Sequence, residues 1–164
     1  MISLIALFYQ SYLAREENRL IQMQQSASVL PYLTQWSSNS GDRLKIAIEN
    51  KGVGPAFIEK VDIVYDSIHK FDNTDDLFRH IFRSTTALDS VSYATSTFKK
   101  GSVLTANEIV DLIKVSDRNA IKTFTSILAT TRFEFSIEYS DVYGSKWIIS
   151  TENDMDVPQL IKPN

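Results

Sequence analysis

Residues 44–58 (LKIAIENKGVGPAFI) constrain the fold more than any other stretch, because they read as strand, glycine turn, strand. Leu44, Ile46 and Ile48 alternate with Lys45, Ala47 and Glu49, so one face of the first strand is apolar and the other wetter. Asn50, Gly52, Gly54 and Pro55 form a structural turn, with the glycines expected at positive φ. Beyond the turn, Phe57, Val61, Ile63 and Tyr65 are expected along one face, with Lys60 and Asp62 on the other. Two such strands are either antiparallel neighbours or the two sides of a corner between sheets.

The same alternation returns late in the chain. Phe133, Phe135, Ile137 and Tyr139 alternate with Glu134, Ser136 and Glu138, residues 141–145 (DVYGS) turn, and residues 146–150 (KWIIS) come back, which predicts a hairpin. Residues 29–36 (VLPYLTQW) carry β-forming side chains, and Pro31 confines them to a first edge strand ahead of a turn cluster at 37–42. Residues 91–98 are a further strand, followed by a turn at 99–102. In residues 103–115, Thr105 and Glu108 have the spacing of a helix capping box, yet the β-branched run after them favours a strand. Two helices interrupt this pattern. One starts at Asn73 with Leu77, Phe78, Ile81 and Phe82 as its apolar stripe, and the other follows Ser116-Asp117 with Ala120, Ile121, Phe124, Ile127 and Leu128. Both are expected to cap an end or an edge of a sandwich.

The N-terminal residues 1–13 (MISLIALFYQSYL) carry no charge until Arg15-Glu16-Glu17, and as a helix they extend about 20 Å against a hydrocarbon core of about 30 Å. No basic residue precedes Ile2 and no small-x-small site follows, so a cleaved signal peptide is not predicted. Two readings stand: the end of a longer transmembrane helix that begins upstream of Met1, or a short apolar helix that docks on a partner or lies in the membrane interface. Residues 15–27 (REENRLIQMQQSA) extend the helix as a solvated stalk, in which Leu13, Leu20 and Ala27 form a thin heptad seam. The expected organisation is a helix over 1–28, a sandwich over 29–152 and a tail over 153–164.

Charge and composition exclude several functions. A net charge of −3 and a pI near 5.4 leave no basic footprint for nucleic acid. The absence of cysteine removes disulfides, thiolate metal sites and a Cys nucleophile. Gly52 and Gly54 do not begin a dinucleotide loop, since Phe57 stands at the third glycine and a strand follows. His69 and His80 match no metal-ligand spacing and are read as solvated. Asp72, Thr74 and Asp76 have calcium-loop spacing, but Leu77 and Arg83 occupy the Gly and Glu positions, so helix capping accounts for them. Glu152, Asp154 and Asp156 read as a solvated exit, and Glu134 and Glu138 as outward strand positions. No catalytic, metal or cofactor site is predicted.

The Asn50-x-Gly52-x-Gly54-Pro55-Ala56 centre of residues 44–65, together with residues 31–33 and the late hairpin, resembles immunoglobulin-like or CARDB-like β-sandwich domains of bacterial membrane-anchored proteins. The resemblance covers about residues 29–151 and carries no functional residues across. It implies a mainly β, antiparallel sandwich with two short inserted helices and an N-terminal helix. The function expected from it is a non-catalytic interaction or accessory module, associated with a bacterial membrane through residues 1–14, with its domain leaning to the extracytoplasmic side and a protein as partner. The alternative is a structural subunit that self-assembles through its N-terminal helix, a layout similar to pilins.

Overall fold

The computed structural model describes residues 2–153 and 157–161. Helix α1 (Ile2–Ser28) leads into β1 (Leu33–Asn39), β2 (Leu44–Asn50), β3 (Ala56–Tyr65) and β4 (His69–Phe71). Helix α2 (Thr74–Ser84), β5 (Tyr93–Thr95), β6 (Val103–Leu104) and β7 (Ile109–Val115) follow. Helix α3 (Arg118–Thr130), β8 (Phe133–Ser140), β9 (Lys146–Ser150) and β10 (Gln159–Ile161) complete the order. Every named strand pairing is antiparallel, in two sheets ordered β1-β2-β7-β5 and β10-β9-β8-β3-β4, with β6 beside the start of β3. Helices hold nearly as many residues as strands, so the chain is mixed α and β rather than mainly β.

Strands β2 and β3 lie in different sheets, so the glycine turn is a corner between sheets and not a hairpin. Inward residues of both sheets make one core with α2 and α3, including Leu33, Ile48, Ile63, Ile113, Ile137 and Phe124. Phe57 departs from its expected inward position. Between Ile58 and Lys60 the β3–β8 register slips by one residue, and this bulge reverses which residues face inward. Before it Ala56 and Ile58 are buried and Phe57 is exposed; after it Val61 and Ile63 are buried. Glu59, the extra residue, accepts a 2.8 Å hydrogen bond from the Ser140 hydroxyl. A second slip sets Leu112 between two paired positions of β7, which lets Leu112 and its neighbour Ile113 both be buried.

Thr105 and Glu108 make one of the two reciprocal contacts of a capping box, without starting a helix: the Glu108 N–H bonds to the Thr105 carbonyl at 3.2 Å and not to its hydroxyl. The Glu108 carboxylate accepts from the Thr105 backbone N–H at 2.7 Å and hydroxyl at 2.9 Å, closing the turn between β6 and β7. The late hairpin forms as expected from β8 and β9. Residues 159–161, read from the sequence as tail, add β10 to the free edge of β9. Asp154 and Asp156 lie outside the described residues, and Glu152 is exposed.

Helix α2 touches both β4 and β5, the free edges of the two sheets on one side. Its Phe82 packs 4.0 Å, centroid to centroid, from Tyr93 of β5 and 5.5 Å from Phe124 of α3. Asn73 caps it by accepting from the Asp76 N–H at 2.9 Å, and Thr74, fully buried, donates to the Ser96 carbonyl at 3.1 Å. Of the residues at calcium-loop spacing, Asp76 joins this cap, Thr74 is committed to the Ser96 carbonyl, and Asp72 accepts from the Asn73 side-chain amide at 3.0 Å. Asp75 in the first turn accepts hydrogen bonds from the Thr95 hydroxyl at 2.6 Å and from Thr97, which ties the helix to the segment around β5. These bonds, Thr95 first, hold the Asp75 carboxyl below its ordinary value. A depressed folded-state pKa contributes stability above the unfolded value and loses it as pH falls through the folded one. Asp75→Asn is expected to lower Tm by at most about 2 °C at neutral pH, since solvent screens a carboxylate this accessible and holds its contribution to about 0.5 kcal/mol, and to match the parent at a pH below both values. A gap that stays constant across an acid titration of Tm would remove this account.

Candidate functional site

The corner at Asn50 joins both sheets and the end of α1. The Asn50 side chain is fully buried. Its Oδ1 accepts from the backbone N–H of Tyr32 and of Gly52, each at 3.0 Å, and its Nδ2 donates to the carbonyls of Gly54 at 2.8 Å, Leu104 at 3.1 Å and Thr105 at 3.1 Å. The Asn50 backbone N–H reaches the Glu108 carbonyl at 3.0 Å, and its own carbonyl accepts from Asn107 at 2.8 Å. One residue thus holds the segment leaving α1, the corner turn and the β6–β7 turn together.

Gly52 and Gly54 are not at positive φ, contrary to expectation; the left-handed glycines are Gly41, Gly101 and Gly144. Their requirement is space. The chain between α1 and β1 lies directly on the turn, with the Val53 N–H bonded to the Leu30 carbonyl at 3.1 Å and the Lys51 N–H to the Tyr32 carbonyl at 2.8 Å. A Cβ on Gly52 would stand 2.2 Å from the Leu30 oxygen, and one on Gly54 would stand 1.9 Å from the Val29 oxygen. Pro55 completes the turn and is partly buried.

A second attachment holds the base of α1. Asp141, in the β8–β9 turn, is buried and accepts from the backbone N–H of Tyr143 at 2.8 Å and of Ser145 at 2.9 Å. Its other oxygen accepts from the Ser26 hydroxyl, which also lies 2.9 Å from the Ser145 hydroxyl. The sequence marks Asp141 only as a turn residue and Ser26 only as a helix residue, and no spacing links positions 115 apart. Nearby, the buried Tyr139 hydroxyl accepts from the Leu33 N–H at 3.4 Å, and burial pushes its pKa up.

From this base α1 runs about 40 Å, as 27 residues at 1.5 Å each. Leu4, Ile5, Leu7, Phe8, Tyr9 and Tyr12 are all more than 60% exposed. They cover a little over half of the circumference, and Ala6 and Leu13, also exposed, extend this to roughly three-quarters, leaving a polar strip at Gln10. Arg19 pairs with Glu16 on the polar half, yet Leu20, Ile21 and Met23 there are exposed as well. No helix among the described residues is long and apolar enough to cross a membrane.

The structure brings His69 and His80 together, with ring centroids 4.4 Å apart and Phe71 and Tyr65 against His80 at 5.5 and 5.8 Å. His80 is partly buried in this cluster rather than solvated, because β4 folds back beside β3 and α2 packs on it. No third His, Cys, Asp or Glu joins them as a metal-holding group among the described residues. On the outer face of the first sheet, the Lys45 ammonium sits 2.5 Å from Asp111 and 4.7 Å from the Trp36 ring centre, and Lys114 also pairs with Asp111. Partial burial pushes the Asp111 pKa up, and hydrogen bonds from Lys114 and Lys45 more than offset it, leaving the carboxyl below its ordinary value.

No family model, curated protein or solved structure matches the chain.

Gly54→Ala is expected to cost about 3 kcal/mol or more in urea unfolding, as is Asn50→Ala, which strands several buried backbone groups. Gly144→Ala, strained in φ but meeting nothing, should cost only about 1 kcal/mol. If Gly54→Ala costs no more than Gly144→Ala, close approach does not explain the corner glycine.

Proposed function

We propose that this chain is a non-catalytic interaction module of immunoglobulin-like type, held at a bacterial membrane by residues 1–14 and presenting its sandwich to a protein partner, leaning to the extracytoplasmic side. The observation that carries the tethering is the exposure of α1. A helix apolar over most of its circumference is at home in a membrane or a helix bundle, not in water, and burying each large side chain returns about 1.5–3 kcal/mol. The sandwich gives those residues no cover, and its hold on α1 is at the far end, through Ser26 and Asp141. That division of one helix into a fixed base and an apolar tip suits a tether.

The immunoglobulin-like reading is supported by strand order. If β1, β2, β3, β4, β5, β7, β8 and β9 are lettered A, B, C, C′, D, E, F and G, the sheets run A-B-E-D and G-F-C-C′, with β10 added outside G and β6 beside C. The chain lacks the cysteine pair of antibody domains and inserts α2 and α3 between strands. A structural subunit that assembles through α1 is the second reading. It is favoured by exposed Leu20, Ile21 and Met23, which lie in the charged half of the helix.

Flotation of the full chain with phosphatidylcholine vesicles and sedimentation velocity without them separate the two. Tethering predicts flotation that Leu7→Glu with Phe8→Glu abolishes, and a monomer in non-ionic detergent. Assembly predicts concentration-dependent oligomers without lipid, dispersed by Leu20→Glu with Met23→Glu. A chain that neither floats nor associates would defeat both.

A further inference from the structure

Between the sheets, under α2 and α3, lies a cavity of about 340 Å³. Leu44, Ile46, Leu77, Phe78, Leu112 and Phe135 provide most of its apolar wall. Among the described residues, no Asp, Glu, Lys, Arg or His lines it. The threonines that do are committed elsewhere: Thr74 donates to the Ser96 carbonyl, Thr125 to the Ile121 carbonyl, and the Thr151 hydroxyl accepts from the Phe135 N–H.

The cavity opens at β1. In the β1–β2 register, Leu33, Gln35, Ser37 and Asn39 share the face that pairs with Ile48, Ile46 and Leu44 of the core side. Leu33 is buried, Gln35 is partly exposed, and Ser37 and Asn39 are exposed. Polar residues at inward positions on half of an edge strand mark a part of the inner face that meets water. The three line the cavity, and Gln35 forms no hydrogen bond through its side chain with any described residue.

We infer that this cavity binds an uncharged medium-chain amphiphile, such as a fatty alcohol or its ester, with the apolar body between the sheets and the polar end at Gln35. Size supports this occupant: a dry apolar cavity of about 150 Å³ takes benzene, and ligand pockets begin at about 300 Å³. Charge decides the chemistry. An ionised group drawn inside would be desolvated with no counter-charge from the described lining, whereas the Gln35 side chain offers a neutral NH2 donor and a neutral carbonyl acceptor at the mouth.

The test is titration of the full chain with the neutral fluorophore N-phenyl-1-naphthylamine. Saturable binding at one site per chain is expected, displaced by 1-decanol and not by decanoate at a pH where it is ionised. Ser37→Trp, at an exposed position of the mouth, should weaken binding about tenfold or more, and Leu128→Trp, from the α3 wall, should act alike if Ser37→Trp lowers Tm. Leu7→Glu with Phe8→Glu should leave the affinity unchanged. The inference is overturned by non-saturable binding, by binding that both Trp variants leave intact, or by binding that the α1 variant removes. Displacement by decanoate as strong as by 1-decanol overturns the assignment of an uncharged ligand. Because the α1 variant tests the tether and the Trp variants test the cavity, either reading can fail without the other.

Discussion

The buried amide of Asn50 is the interaction on which the rest of the structure depends. Between β2 and β3 the chain leaves one sheet and enters the other, and at that corner backbone groups lose their ladder partners. Asn50 supplies them from one side chain, with an acceptor for two N–H groups and a donor for three carbonyls. No apolar residue could do this, and a carboxylate would bring a buried charge with no donor hydrogens. The glycines beside it allow the α1–β1 segment to press against the turn, so the direction of α1 is coupled to the corner of the core.

That coupling, together with the Ser26 to Asp141 contact, gives α1 a fixed base. Both attachments are polar and both lie at one end of the two sheets. The other end is closed differently, by aromatic and aliphatic packing of α2 and α3 over sheets that the β1 edge leaves partly open. One end therefore sets where the apolar helix points, and the opposite end holds the cavity. Tethering and ligand binding, as proposed, are separable for that reason.

Much of the strand content was legible in the chain because alternation of apolar and polar residues is a local signal. The β8–β9 hairpin, β2, the edge character of β1 and the caps of α2 and α3 all follow from neighbours within a few positions. Phe57 was not legible, because the bulge at Glu59 inserts one residue and shifts the phase of everything before it. The same limit hid the His69–His80 contact, which needs β4 to return beside β3 and α2 to pack across it. It also hid Asp141, whose partner is an α1 serine.

By itself the sequence determined the alternating strands, the late hairpin, the apolar N-terminal helix and a turn at Asn50, Gly52, Gly54 and Pro55, since those are matters of local periodicity and turn composition. It did not determine why the glycines are needed. Only the tertiary structure decided that the turn is a corner between sheets, that Gly52 and Gly54 make room for a neighbouring segment rather than adopt a left-handed backbone, and that polar residues of β1 face a cavity. Each of these depends on which distant segment lies opposite, and that is set by packing around one core, not by local preference.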